Sequence, residues 1–391
     1  LDQNFTVKGV AATFWEYDTS LYHLFIDFRT AYDSISREDL YRIMNEQRIP
    51  NKLIRLVKMT MQNSKAKVKI CGGISNSFNI DIGLKQGDGL APMLFNLVLN
   101  WVIQQTKIDF NNTLFYKSIQ IVGYADDIDI MGRSVQAIEE AHREVERGAA
   151  KVGLQINESK TKWMEQSRER GRNIVQPNIF TNNFAEVQEF KYLGTIITND
   201  NKEVIEVQNR ITSANKTYFS LKEIMKSNAV HQKTKLKIYK TVIRSILCYS
   251  CETWILTKKV EMMLGRFERK ILRRIFGPIQ ENMQWRSRYN QELYKQFKST
   301  DLVTHIKLRR LEWAGHVSRM EESRVPKKVM EGKIYGRRPV GRPRERWLDE
   351  VTADARSFLG SGAWRRLARD REDWRKMIEE ARARHWAVTP L

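Results

Sequence analysis

Cysteine is scarce: Cys71, Cys248 and Cys251 are the only three in 391 residues, too few for a disulfide framework and in keeping with a reducing compartment. Long apolar runs are missing too. None reaches the roughly 18 residues that a spanning helix needs, and no signal-peptide pattern opens the chain. An intracellular protein of the nucleus or cytoplasm with no membrane partner is therefore expected. Acidic residues are few beside basic ones, 46 Asp and Glu against 67 Lys and Arg, a formal net charge of +21. A surface so cationic attracts polyanions, nucleic acid before a membrane surface. The length suffices for two or three domains with a substantial core. The chain opens on Leu1, and a longer parent polypeptide is expected. Cys248 and Cys251 form a Cys-x-x-Cys, for which a zinc site with His305 and His316 competes with plain burial in an apolar helical run.

What is present centres on Tyr124-Ala125-Asp126-Asp127, flanked by alternating Ile and Val that predict two strands joined by a tight turn. Adjacent carboxylates at a hairpin tip repel one another and resist desolvation unless a cation answers them; a solvated turn is the competing reading. Upstream, the β-prone run Leu21 to Phe28 carries one acid, Asp27, which either has a partner or caps the next segment. Ser36-Arg37-Glu38-Asp39 opens a helix that Pro50 closes, and residues 67–81 predict a hairpin about Gly72-Gly73. Gln86-Gly87-Asp88-Gly89 leads through Ala91-Pro92 into an apolar helix, a phosphate-binding loop or a flexible one. Ser134 caps a further helix ended by Gly153. Residues 190–197 predict one strand, and Asp129 is expected to face solvent.

From about residue 203 the pattern turns helical. Arg266, Arg269, Lys270, Arg273 and Arg274 line a basic amphipathic stretch that suits either a phosphate backbone or plain solvation. Residues 324–346 concentrate Arg337, Arg338, Arg342 and Arg344 among glycines and prolines that cannot hold a helix. Trp347, Trp364, Trp374 and Trp386 follow, as core or as base-stacking platforms.

Taken together, Phe25-Ile26-Asp27-Phe28 with Ala31-Tyr32-Asp33, Gln86-Gly87-Asp88-Gly89 with Pro92, Tyr124-Ala125-Asp126-Asp127, Gly153-Leu154 with Lys160-Thr161, and Tyr192-Leu193-Gly194 resemble, in order and spacing, motifs A to E of reverse transcriptases. The likeness is strongest to non-LTR (LINE-like) retrotransposon enzymes. Glu252-Thr253-Trp254, Trp313-Ala314-Gly315-His316 and Gly341-Arg342-Pro343 extend it to the C-terminal region.

The resemblance implies an α+β fold: a right-hand polymerase palm with truncated fingers over residues 1–200, a helical thumb over 201–280 and a basic, mainly helical nucleic-acid-binding region over 281–391. It implies RNA-directed DNA synthesis with two Mg²⁺ ions, or Mn²⁺ in their place, on Asp27, Asp126 and Asp127, with Lys160 as proton donor. Phe28, Tyr32, Gln86 and Gly87 would meet the nucleotide, Tyr32 as the gate against a 2′-hydroxyl. Tyr192, Leu193 and Gly194 would be the primer grip. The implied partners are an RNA template, a DNA primer, dNTPs and an endonuclease domain upstream or in trans. The competing function is an inactive, retroelement-derived RNA or DNA binder.

Overall fold

The computed structural model describes residues 1–106, 108, 114–115, 117, 119–168, 184–334 and 346–385. Helix α1 (Asp2–Glu16) groups with residues 190–391, while residues 18–189 pack among themselves.

In the unit of residues 18–189, strand β1 (Leu21–Ile26) is central because both of its edges find partners. Helices α2 (Arg37–Glu46), α3 (Asn51–Met61) and α4 (Ala91–Gln104) follow, then strands β2 (Ile119–Tyr124) and β3 (Asp127–Gly132) and helix α5 (Val135–Ala150). With β4 (Lys162–Gln166) and β5 (Ala185–Glu186), the sheet order is β5-β4-β1-β3-β2. Alternation sorts its faces. Leu24, Ile26, Ile128 and Ile130 turn to a core shared with Leu40 and Ile43 of α2, Phe95 and Val98 of α4 and Val145 of α5. Each such side chain contributes about 1.5–3 kcal/mol of burial. Caps fix the helix starts, Ser36 accepting from the Asp39 N–H at 3.2 Å and Ser134 from that of Ala137 at 3.3 Å. Residues 69–70 pair with 73–74 as the expected hairpin.

Residues 190–197 are not one strand. Strands β6 (Glu189–Tyr192) and β7 (Thr195–Thr198) turn back at Leu193 and Gly194, with φ of 43° and 78°. Positive φ at both turn residues matches the right-handed twist of a two-residue hairpin.

In the helical unit, α6 (Glu203–Ser220) and α7 (Lys258–Phe276) share a core with Trp254, Leu293, Phe297 and Ile306. Cys248 and Cys251 are buried in that same core and pack against its apolar side chains. A second cluster joins α8 (Leu302–Ser318), α9 (Trp347–Leu359) and α10 (Arg371–Arg384) through Trp313, Trp364 and Trp374. Trp364 and Trp374 are each 2% exposed, which removes them as stacking platforms; Trp386 lies outside the described residues. Gly315 is dictated by this packing, since a Cβ there would lie 2.2 Å from Trp374 Nε1.

A buried carboxylate sits on the inner face of α7. Glu268 accepts from Tyr239 Oη at 2.8 Å, Tyr294 Oη at 3.2 Å and the Leu302 N–H at 2.8 Å. Burial, then the nearby Asp301, push its carboxyl up to about 7 from an ordinary 4.5. A raised folded-state pKa means that the folded form binds the proton more tightly, so this contribution is fully present below pH 4.5 and lost as pH climbs through 7. Urea unfolding across pH 4–8 should show wild type losing on the order of 3 kcal/mol relative to Glu268→Gln over that window. Parallel pH curves for the two chains would refute this reading of Glu268.

Candidate active site

The end of β1 and the turn between β2 and β3 meet because β1 and β3 pair antiparallel, with Ile26 opposite Ile128. Asp27 therefore follows the last β1 rung beside Asp127, the first residue of β3. The turn is two residues, Ala125 and Asp126, closed by the Tyr124–Asp127 pair. Ala125 takes φ of 53°, a left-handed conformation that costs an L-residue with a Cβ about 1–2 kcal/mol. Such strain is commonly kept where a turn must aim a side chain.

The three carboxylates sense one another. Burial, then Asp126 and Asp27, hold the Asp127 carboxyl above its ordinary range. Asp27 Oδ2 is shielded from water and accepts no hydrogen bond, with Lys160 Nζ at 3.8 Å. A shielded carboxylate oxygen that accepts no hydrogen bond and faces further carboxylates is a hard-oxygen donor set that fits Mg²⁺. Among the described residues no group of three His, Cys, Asp or Glu side chains is placed to hold a metal ion by itself.

Neighbouring segments hold this end of the sheet. The Asn157 N–H donates to the Asp27 carbonyl at 2.7 Å, and the Asp27 N–H to Thr161 Oγ1 at 3.4 Å. Thr161 is fully buried, so within Lys160-Thr161 the threonine braces Asp27 while the lysine reaches its carboxylate. Gly153 is held by sterics, with φ of 84° and a Cβ position 2.5 Å from the Ser34 carbonyl.

Tyr32 is half-buried, its ring stacked on Phe95 at 4.8 Å. Burial, then Asp126 and Tyr124, raise its phenol, which places it beside the hairpin acids. Leu84 donates its N–H to the Tyr32 carbonyl at 2.7 Å, so the exposed Gln86 and Gly87 spring from a root tied to Tyr32. Phe28 is 5% exposed and packs in the core.

Sequence reasoning passed over Arg37. Its guanidinium is buried and bonded to backbone carbonyls, donating from Nε to the Gly83 carbonyl at 2.9 Å and from one terminal nitrogen to the Met61 and Ile80 carbonyls at 2.7 and 2.8 Å. A cation in the first turn of a helix opposes the macrodipole, and that was the available signal. Arg37→Ala leaves three carbonyls without this donor. Stability is expected to fall by roughly 3 kcal/mol, with faster hydrogen exchange confined to residues 61–90; unchanged exchange there would rule out the clamp.

Asp129 does not face solvent. It is fully buried, with His23 Nδ1 at 3.0 Å, because its strand parity puts it on a covered face of the sheet. Burial raises its carboxyl and His23 counters.

In the helical unit, the Leu193-Gly194 turn is held by Tyr249, whose hydroxyl donates to the Leu193 carbonyl at 3.0 Å, and by Arg210, which donates to the Gly194 carbonyl. Arg210 lies over the Tyr249 ring at 4.6 Å and pairs with Glu206 at 2.7 Å. Tyr192 is buried. Along α7, Arg266, Lys270 and Arg274 are exposed at four-residue spacing, whereas Arg269 is half-buried and Arg273 donates to Asn290 Oδ1 at 2.8 Å and the Arg288 carbonyl at 3.2 Å. Arg337, Arg338, Arg342 and Arg344 lie outside the described residues.

This α+β arrangement has relatives. Residues 3–197 match the family described as reverse transcriptase (RNA-dependent DNA polymerase). A putative uncharacterized transposon-derived protein of Caenorhabditis elegans is 24% identical over 266 residues, 65% of this chain and 93% of that protein. A probable RNA-directed DNA polymerase from transposon X-element of Drosophila melanogaster is 24% identical over 251 residues, 61% of this chain but 26% of its own length. A solved telomerase from Candida Tropicalis, in complex with a TWJ fragment of telomeric RNA, aligns over 97% of this chain and 52% of its own at 10% identity, with a TM-score of 0.41. Residues 3–197 belong to the reverse transcriptase family, in the branch carried by non-LTR retrotransposons.

Proposed function

We propose that this chain is the RNA-directed DNA polymerase portion of a non-LTR retrotransposon protein, adding dNTPs to a primer 3′-hydroxyl on an RNA template. The observation that carries this is the meeting of Asp27 with Asp126 and Asp127 at one sheet end, Lys160 within 3.8 Å of Asp27, inside a reverse transcriptase region.

In this reading residues 1–200 hold a palm with part of the fingers, residues 201–280 a thumb and residues 281–391 a basic nucleic-acid-binding region. Asp27 and Asp126 are the principal ligands for two Mg²⁺, or for Mn²⁺, with Asp127 beside them. When bound, the ions supply charge stabilisation to the attacking and leaving oxygens. Lys160 holds the proton that pyrophosphate takes, a general-acid role worth about 10²–10⁴-fold. Gln86 and Gly87 contact nucleotide and template, and Tyr192, Leu193 and Gly194 hold the primer end. Exposed Arg266, Lys270 and Arg274, together with Arg337, Arg338, Arg342 and Arg344, take backbone phosphates. Integration requires an endonuclease activity, upstream or in trans.

Primer extension on poly(rA)/oligo(dT) with Mg²⁺ tests this. Template-dependent incorporation is the expected result. Salt-sensitive template binding with no extension by the full-length protein would instead make the chain a nucleic-acid binder. Tyr32, braced by Phe95, is the sugar gate, so Tyr32→Ala should raise rNTP relative to dNTP incorporation by about tenfold. An unchanged ratio removes that role.

A further inference from the structure

Three polar side chains lie buried on the same face of the sheet as Asp127, one or two rungs further in. His23 on β1 and Asp129 on β3 have no exposure, and Gln166 at the end of β4 is 3% exposed. His23 Nδ1 lies 3.0 Å from Asp129 Oδ2 and 3.2 Å from Oδ1, and Nε2 lies 3.2 Å from Gln166 Oε1. Asp129 stands opposite Phe25 and Gln166 opposite Leu21. The imidazole thus reaches diagonally forward to one neighbouring strand and diagonally back to the other.

A ring bonded to two strands at once fixes their offset. The apolar side chains do not. Leu24, Phe25 and Ile26 against Ile128, Ile130 and Met131 would pair about as well after a slip of two residues, which returns every side chain to its own face. Such a slip moves Asp27 along the strand by about 7 Å relative to Asp127. In the direction that brings Ile26 opposite Ile130 it would also carry Asp129 opposite Asp27 and leave it buried without its imidazole, the defect a sheet interior tolerates least.

We propose that His23, Asp129 and Gln166 are a register lock. They are positioning residues that hold β1, β3 and β4 at the one offset in which Asp27, Asp127 and Lys160 converge. The catalytic consequence rests on the polymerase reading above; the lock itself rests on the sheet alone.

The test reads register directly. In a Cys71→Ser background, two cysteine pairs are oxidised and mapped by mass spectrometry. Ile26→Cys with Ile128→Cys are opposite one another in the sheet, whereas Ile26→Cys with Ile130→Cys meet only after the slip that separates His23 from Asp129. Each pair is placed in the otherwise native chain and in one carrying His23→Leu and Asp129→Leu together, since apolar replacement of both buried partners tends to keep stability where removing one does not. The native background is expected to cross-link 26 to 128 alone. The doubly substituted chain should add the 26–130 cross-link, and without the cysteine pairs should lose about 10²-fold in kcat for primer extension, the size of effect that displaced reacting groups produce, at an unchanged dNTP KM and Tm. Cross-linking at 26–128 alone in the doubly substituted chain overturns the lock. If the cross-links behave as expected but the native chain extends no primer, the lock stands and the polymerase reading falls.

Discussion

Asp126→Ala should lower primer extension by about 10³-fold and leave Tm in metal-free buffer unchanged or slightly higher. The two halves of that outcome have one cause. Asp126 occupies the second position of a strained two-residue turn, where its charge, after burial, helps to hold the Asp127 carboxyl up. Removing one of three mutually repelling carboxylates therefore relieves the empty fold. The same removal takes away a ligand whose metal-borne stabilisation of transition-state charge is worth several kcal/mol, and about 4 kcal/mol corresponds to 10³-fold in rate. Asp27→Asn should behave alike, since Asp27 Oδ2 accepts no hydrogen bond and its ion pair with the exposed Lys160 at 3.8 Å adds little to folding. Single-nucleotide incorporation with Mg²⁺, alongside thermal melts, measures both quantities. An Asp126→Ala chain that extends primers at the native rate sinks the two-metal assignment. One that loses activity only in proportion to a lowered Tm makes Asp126 a structural residue.

Why some of this was legible in the sequence and some was not follows from where each partner lies. Asp27, Tyr32, Gln86-Gly87, the Asp126-Asp127 pair and Lys160 each sit in a motif whose spacing is local, and the antiparallel pairing of β1 with β3 brings Asp27 beside the Asp126-Asp127 turn without further instruction. Asp129 was misjudged because an acid two residues beyond a hairpin tip usually faces water; its partner His23 is 106 residues away in a strand that reads as simply apolar. The 189–198 hairpin was read as one strand because its turn is only Leu193-Gly194, with no flanking break in β-propensity. The grouping of α1 with residues 190–391 depends on contacts such as Phe5 against Trp313 and Trp347, which no local pattern encodes. Arg37 is the converse: its place in a helix's first turn gives no hint of the three carbonyls, far along the chain, that its buried guanidinium holds.

The largest stability effect is expected at Arg310, in the helical unit. Its guanidinium has no solvent exposure, yet donates to Asp354 Oδ2 from two nitrogens at 2.9 and 2.6 Å, to Glu350 Oε2 at 2.8 Å and to the Trp254 carbonyl at 2.9 Å. A buried pair of this kind adds little over a well-packed apolar substitute, but losing one partner strands the other and costs about 3–5 kcal/mol. Against a total of roughly 5–15 kcal/mol for a domain, Arg310→Met should bring this unit close to unfolding at 37 °C although the side-chain volume is nearly kept. The charge left behind on Asp354 identifies the cause. Burial already raises its carboxyl and Arg310 holds it down; without the guanidinium its folded-state pKa climbs further. The penalty of Arg310→Met should therefore be small near pH 4, where the unfolded acid is itself about half protonated and burying it neutral costs little, and grow as pH rises towards 7. Arg310→Met with Asp354→Leu should recover most of the loss, because no unpaired charge then remains at that position. Urea titrations of the three chains at pH 4 and pH 7 measure these differences, and an Arg310→Met chain within about 1 kcal/mol of wild type at pH 7 would mean that water, not Arg310, satisfies Asp354.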